Sequence, residues 1–276
     1  MAATNVKVAV VTGGNKGIGL GVVRGICKQF KGDVILTSRD SERGVAAVKA
    51  LEGEGLSPKF HQLDIDSQQS IATLKEFLEK NYGGLDILVN NAGIAYKGAS
   101  TAPFTEQAAV TVKTNFTGTL NVTKALLPLI RAHGRIVMVS SRVGRLGIVK
   151  PHLQEKFNSP SLTEAALVTL MDQFVQDVAE GKHTEQGWPS SAYGMSKVGM
   201  TALTKVVARQ AASMDDVLVN ACCPGWVATD MAGTNARLTP DQGAETPVFL
   251  SSLPAGSPTG ELWYLKKVIP WDTHFS

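Results

Sequence analysis

The stretch that decides the fold is Val6-Lys7-Val8-Ala9-Val10-Val11-Thr12-Gly13-Gly14-Asn15-Lys16-Gly17-Ile18-Gly19. An apolar, β-branched run passes directly into a glycine cluster, and that cluster opens a helical pattern over 17–30. Glycines 13, 17 and 19 do not reproduce the G-x-G-x-x-G spacing literally, but the physics is the same. Residues without Cβ let the backbone turn tightly, approach a pyrophosphate and seat the helix against the sheet. The helix N-terminus then offers free N–H groups and the positive end of its dipole to phosphate. A tight strand-to-helix turn with no ligand would carry similar glycines. The placement in the first such junction favours a dinucleotide, with Gly13, Asn15, Lys16, Gly17, Ile18 and Gly19 as its contacts.

The alternation continues outward from this junction. Near-continuous apolar runs at Val6–Val11, Asp33–Thr37, Lys59–Leu63, Asp86–Val89, Arg135–Val139 and Val217–Ala221 read as strands covered on both faces. Helical patterns lie between them at 41–54, 67–81, 106–132 and 191–213, with Ser67 as an N-cap and Gly83-Gly84 as a stop. This βα repetition predicts an α/β fold built on a doubly wound parallel sheet with right-handed crossovers. One stretch breaks the rhythm: 142–190 separates a strand from the next helix, where compact domains usually spend about 4–6 residues. Within it Leu153–Phe157 and Ala165–Ala179 have helical spacing, and Leu167, Leu170, Met171, Phe174, Val175 and Val178 form one stripe. The expectation is a single domain over 1–276 with a helical insertion at about 142–190.

Composition narrows the function. At 43% hydrophobic and 18% charged the chain can bury a large core, and a net charge of +3 argues for neither a nucleic-acid nor a membrane surface. Cys27, Cys222 and Cys223 cannot build a disulfide framework. His61, His133, His152, His183 and His274 show no zinc-ligand spacing and read as structural or exposed, so no metal is expected. No apolar run approaches the ~18 residues of a membrane span. Met1 to Asn5 lack the order of a signal peptide and Ala2 excludes myristoylation, which together place the chain in the cytoplasm by default.

The second strand ends Leu36-Thr37-Ser38-Arg39-Asp40. An acid here would hold a ribose 2′-OH, whereas an arginine accommodates a 2′-phosphate. Arg39, with Lys16 in the glycine loop and Arg43 one helical turn on, points to NADPH. Asp40 is either the acid displaced by one residue or the cap of the next helix, and two cations outweigh a displaced acid. Asp64 closes the third strand and could accept from an adenine amino group. Asn91 and Gly93 close the fourth and could line the ribose. Each could equally be a polar residue that simply ends a strand.

The chemistry sits at Ser191-Ala192-Tyr193-Gly194-Met195-Ser196-Lys197. Tyr193 and Lys197 are i,i+4 and share a helix face. A tyrosine at its ordinary pKa of ~10 shuttles protons poorly at neutral pH, and a neighbouring ammonium is expected to lower that value. Tyr193 would then protonate a carbonyl oxygen as hydride arrives at carbon. Ser140-Ser141, ending the fifth strand, offers a second hydroxyl.

Thr12–Gly19, Asn90–Gly93, Asn115, Ser141, Tyr193, Lys197 and Pro224-Gly225 together resemble the short-chain dehydrogenase/reductase family, in order and over nearly the whole chain. The resemblance implies a seven-stranded Rossmann-type sheet and a catalytic group of Asn115, Ser141, Tyr193 and Lys197. In that family tyrosine is the general acid, serine holds the substrate oxygen, lysine lowers the tyrosine pKa and binds ribose, and asparagine orients a relay water. Phe60–Asp66, Gly187–Tyr193, Asn220–Val227 and the long insertion are similar to the monomeric NADPH-dependent carbonyl reductases within it. That likeness implies a monomer acting on quinones, aromatic and aliphatic ketones, prostaglandins or steroids. It also puts Val227 and Thr229 on the cofactor, Trp226 on the substrate, and Cys223 near a site for glutathione conjugates. A core tryptophan and a buried, inert cysteine are the plainer readings of Trp226 and Cys223.

Three features depart from the pattern: Met138, the basic run Arg142-Val143-Gly144-Arg145, and the tail from Trp263 to Ser276. A non-catalytic NADPH-binding regulator on the same fold is the alternative, and the intact Tyr193 and Lys197 argue against it. An epimerase or dehydratase would need a larger segment after Pro224-Gly225.

Overall fold

A computed structural model of the chain describes residues 6–231 and 236–272. His274 and the first five residues lie outside this set. Eight strands form one sheet in the order β3-β2-β1-β4-β5-β6-β7-β8. They are β1 (Val8–Val11), β2 (Asp33–Ser38), β3 (Lys59–Gln62), β4 (Leu85–Asn90), β5 (Ile130–Val139), β6 (Leu218–Cys223), β7 (Leu262–Tyr264) and β8 (Lys267–Ile269). The first seven are parallel, as a core buried on both faces requires.

The helices are α1 (Gly17–Gln29), α2 (Ser41–Gly53), α3 (Gln68–Tyr82), α4 (Phe104–Val112), α5 (Thr119–Leu126), α6 (Pro151–Phe157), α7 (Glu164–Ala179), α8 (Ala192–Gln210) and α9 (Pro240–Leu250). On one face of the sheet α1, α2 and α9 bury Val22, Ile26, Leu51 and Leu250. On the other, α3, α4, α5, α7 and α8 bury Leu74, Val112, Leu126, Phe174 and Leu203. The caps anticipated from sequence are made: Asp40 accepts from the Arg43 N–H at 3.0 Å, Ser67 accepts from Ser70 at 3.2 Å, and Gly83 ends α3 with φ +69°.

Two features differ from the sequence-based picture. The sheet has eight strands, not seven. Leu265 and Lys266 both take positive φ (48° and 61°), which turns the chain back as a tight hairpin and adds β8 antiparallel to β7. The helix predicted over 106–132 is instead α4, a π-helical turn at Lys113–Gly118, and α5. Pro128 then lies in a short 3-10 turn, and the chain extends into β5 from Ile130.

The insertion is helical as its spacing predicts. Leu167, Met171, Phe174 and Val178 of α7 are buried against α4 and α8. Trp188 completes the packing, with its ring centroid 5.8 Å from that of Phe174 and its indole N–H donating to Asp177 at 2.6 Å. Strand order reverses between β1 and β4, so the C-terminal ends of these strands form the crevice in which such sheets hold ligands.

Candidate active site

The glycine loop is built around two left-handed residues, Gly13 (φ +63°) and Gly17 (φ +54°). A threonine to which the sequence reading gave no role locks it in place. Thr12 Oγ1 accepts from the backbone N–H groups of Asn91 and Ala92, both at 2.9 Å, tying the end of β1 to the end of β4. The Asn91 side-chain amide donates to the carbonyls of Thr12 (2.9 Å) and Gly13 (3.1 Å). Asn91, anticipated as a ribose contact, therefore braces the loop from beneath. Thr37 does the same from β2, where its carbonyl accepts from the Gly14 N–H at 2.8 Å. The signal for all three was available, because each is a polar residue closing a strand beside the loop.

This loop fits a dinucleotide phosphate. The α1 N-terminus carries no side-chain cap, so its first N–H groups are left for an anion. Asn15 and Ile18 lie half-buried on the loop. Across from it, the Thr229 methyl stands 3.1 Å from where a Cβ on Gly17 would sit. Val227 is buried against Gly243 of α9.

Of the three candidate cations, Arg39 is exposed at the end of β2, and its guanidinium makes no ion pair or hydrogen bond among the described residues. Arg43 pairs with Asp40 at 3.4 Å. Lys16 pairs with Asp230 at 2.7 Å, a partner not anticipated from sequence. Asp40 is thus occupied as cap and counter-ion, and of the three candidate cations Arg39 is the one without an ion-pair partner among the described residues. Asp64 accepts from the Asp66 N–H at 3.0 Å, so one carboxylate oxygen shapes its own turn.

The catalytic candidates converge at the ends of β5 and β6. The Ser141 hydroxyl interacts with the Tyr193 phenol and favours its charged form. Lys197 lies one turn beyond Tyr193, its ammonium 5.5 Å from the tyrosine ring centroid, and donates to the Val139 carbonyl at 2.8 Å. That single bond leaves two N–H groups of a buried ammonium for further acceptors, such as ribose hydroxyls.

Electrostatics here depart from the expectation. Burial, reinforced by the Cys223 sulfur, raises the Tyr193 phenol to about 12, with the Ser141 bond pulling the other way. Burial likewise lowers Lys197 to about 8. Desolvation, which disfavours both charged forms, is the largest cause for each.

Asn115 sits inside the π-helical turn, fully buried. Its side-chain oxygen accepts from the Ile94 N–H at 2.7 Å, and its amide donates to the Ile94 carbonyl (2.9 Å) and to Ser196 Oγ (3.0 Å). Both amide protons are spent, and Ser196 is a second partner missed from sequence. Gly93 is the close approach that permits this: a Cβ there would meet the Asn115 oxygen at 3.0 Å.

Val143, two residues after Ser141, is 49% exposed and Trp226, following β6, is 53% exposed, so apolar and aromatic surface is open here alongside Arg142, which stacks on Tyr264. Cys223 is only 4% exposed, with its sulfur accepting from the Gly225 N–H at 3.4 Å. Cys223, which the resemblance puts near a site for glutathione conjugates, is therefore buried, as its plainer reading has it. Among the remaining histidines, His61 packs on Phe77 and His133 pairs with Asp216. No group of three or more His, Cys, Asp or Glu side chains among the described residues could hold a metal ion. No described helix is long and apolar enough to cross a membrane.

Comparison with known proteins follows the same lines. The family described as short chain dehydrogenase matches residues 7–152 and 179–238, leaving out the end of α6 and most of α7. Carbonyl reductase (NADPH) 1 of Homo sapiens is 55% identical over 276 residues, covering 98% of this chain and 100% of that protein. Carbonyl reductase (NADPH) 3 of Rattus norvegicus is 53% identical over 272 residues, covering 96% of this chain and 98% of that protein. Among solved structures, salutaridine reductase from Papaver somniferum superposes with a TM-score of 0.85 at 31% identity, covering 93% of this chain and 99% of that one. With the glycine loop, the buried asparagine and the serine–tyrosine–lysine cluster in place, these matches show that the chain belongs to the short-chain dehydrogenase family.

Proposed function

We propose that this chain is an NADPH-dependent carbonyl reductase that converts ketones and quinones to alcohols and hydroquinones. The observation that carries this is the Ser141–Tyr193–Lys197 cluster set at the crevice beside the glycine loop, in a chain whose full-length relatives carry the name carbonyl reductase (NADPH). NADPH supplies the hydride. Gly13, Asn15, Lys16, Gly17, Ile18 and Gly19 would cradle its pyrophosphate, and Arg39, with Arg43 beside it, would take the 2′-phosphate. Asp64, Gly93, Val227 and Thr229 would line the remainder.

The residues of the chain then divide the proton chemistry. Ser141 donates to the carbonyl oxygen and holds it against the Tyr193 hydroxyl. A phenol raised to about 12 stays protonated throughout the physiological range, so the acid is loaded before each turnover. An alkoxide is a far stronger base than a phenolate, so transfer from Tyr193 to the developing oxyanion runs downhill. Lys197, near 8, can pass a proton on towards solvent to restore the tyrosine. Both side-chain N–H groups of Asn115 are spent on Ile94 and Ser196, so a relay water would be held there by an acceptor oxygen of Asn115.

The exposed Trp226 and Val143 favour flat, apolar carbonyls: aromatic ketones, quinones, and the larger prostaglandins, steroids and glutathione conjugates that the family resemblance implies. Cys223 is buried, so any glutathione conjugate would be held by exposed side chains such as Trp226. The packing of α7 over α4 and α8 supports a monomer, taken here as cytoplasmic. A regulator that binds NADPH without turning over would have no use for Tyr193.

The test is NADPH oxidation with an aromatic ketone and with a small quinone, repeated with NADH, alongside light scattering. Turnover preferring NADPH in a monomer is the expected result. Tight NADPH binding without turnover on either substrate would instead favour the regulator.

A further inference from the structure

The tail that fits the family pattern least well reaches back to the catalytic serine. Trp271, buried at 5% exposure, makes two hydrogen bonds to the turn that follows Ser141. Its indole N–H donates to the Gly144 carbonyl at 2.9 Å, and its own carbonyl accepts from the Leu146 N–H at 3.0 Å. Gly144 in turn donates to the Ser141 carbonyl at 3.0 Å, closing the 3-10 turn that the Ser141 hydroxyl caps through Val143. The opposite side of that turn lies on α8. A Cβ on Gly144 would stand 2.5 Å from the Lys197 backbone, so nothing separates the two. Lys205, two turns further along α8, places its ammonium 5.2 Å from the Trp271 ring centroid.

The turn bearing Ser141 is therefore held between the tail and the helix bearing Tyr193 and Lys197. We infer that Trp271 is a positioning residue for this reaction. By clamping Gly144 and Leu146 it fixes Ser141 against Tyr193, although it touches neither substrate nor cofactor. This rests on the carbonyl reductase reading. Displacing a positioned group by about 1 Å can cost up to ~100-fold in rate, so the loss of one clamp bond should be visible.

The test compares wild type, Trp271→Ala and Trp271→Phe, the last keeping ring bulk while removing the N–H donor. If the alanine variant does not fold, the phenylalanine variant decides. Expected for Trp271→Phe are a kcat lower by about 10-fold, an NADPH Kd within about twofold of wild type by fluorescence titration, and unchanged near-ultraviolet circular dichroism. In the reverse direction, with an alcohol and NADP+, the acidic limb of the kcat profile should move to higher pH, because the Ser141 bond that favours the phenolate is weakened. A variant that melts earlier yet keeps wild-type kcat and pH profile would overturn the inference, leaving Trp271 a packing residue only. Absence of carbonyl reduction in wild type would instead overturn the functional reading, so the two failures are distinguishable.

Discussion

Gly19→Ala offers a test whose sign separates two physical effects. Gly19 lies in the first turn of α1, and a Cβ there would stand 2.2 Å from the Gly13 carbonyl oxygen and 2.5 Å from the Asn91 side-chain nitrogen. Real Cβ atoms essentially never come within 3.0 Å of a neighbour, so the carbonyl must retreat by about 0.8 Å. Neither neighbour can yield freely, since the Asn91 amide already bonds Thr12 and Gly13. Overpacking of this kind costs ~1–3 kcal/mol, and each bond lost adds about 1 kcal/mol. Against this, alanine is better than glycine in a helix by up to about 1 kcal/mol. The net is a destabilisation of about 2–3 kcal/mol, or about 3–5 °C in Tm for a chain of this size. Because the moved carbonyl belongs to the phosphate loop, NADPH affinity should fall at least ~10-fold, equivalent to about 1.4 kcal/mol. Thermal melts with and without NADPH, together with a fluorescence titration, measure both. A Tm that rises, as helix propensity alone would dictate, with an unchanged Kd would refute the close-packed loop.

Three further outcomes follow from the site. Arg39→Ala should weaken NADPH binding by about 10-fold or more while leaving NADH within about twofold, because Arg39 is the candidate cation without a partner among the described residues; equal losses on both cofactors would contradict its role at the 2′-phosphate. Lys197 sits at about 8, below its ordinary value of 10.5, so between those pH values the unfolded chain binds a proton that the native one lacks, and stability rises with pH. The cofactor-free Lys197→Met variant should therefore melt higher than wild type at pH 7, with the gap closing as pH climbs towards that ordinary value; a constant gap would show that Lys197 is not desolvated. Trp226→Ala should raise KM for an aromatic ketone by about 10-fold and leave a small aliphatic ketone nearly unaffected, as measured by steady-state kinetics.

The fold was legible because its signals are local. The passage from Val11 through Gly13 to Gly19, the buried runs, and the caps at Asp40 and Ser67 each dictate a conformation within a few residues. The hairpin that adds β8 was not, because Leu265 and Lys266 are not residue types that announce positive φ. The π-helical turn around Asn115 was hidden for a related reason, since the apolar spacing runs through it without a break. At the site, residue types pointed to the right place but not always to the right task. Asn91 braces the loop, Lys16 pairs with Asp230 across a separation of 214 residues, and Cys223 is buried. The tyrosine pKa could not be read from the i,i+4 spacing, because its largest cause is burial, which only the folded chain establishes. Trp271 was passed over as part of an unmatched tail, and only the fold brings it to Gly144.

The central claim is that Tyr193 delivers the proton to a carbonyl reduced at the expense of NADPH. The most direct measurement is Tyr193→Phe assayed for NADPH-dependent reduction of an aromatic ketone, with NADPH binding titrated on the same preparation. Turnover should be lower by at least ~1,000-fold, with NADPH affinity within about twofold of wild type. Turnover within about tenfold of wild type would contradict this role and place the acid elsewhere.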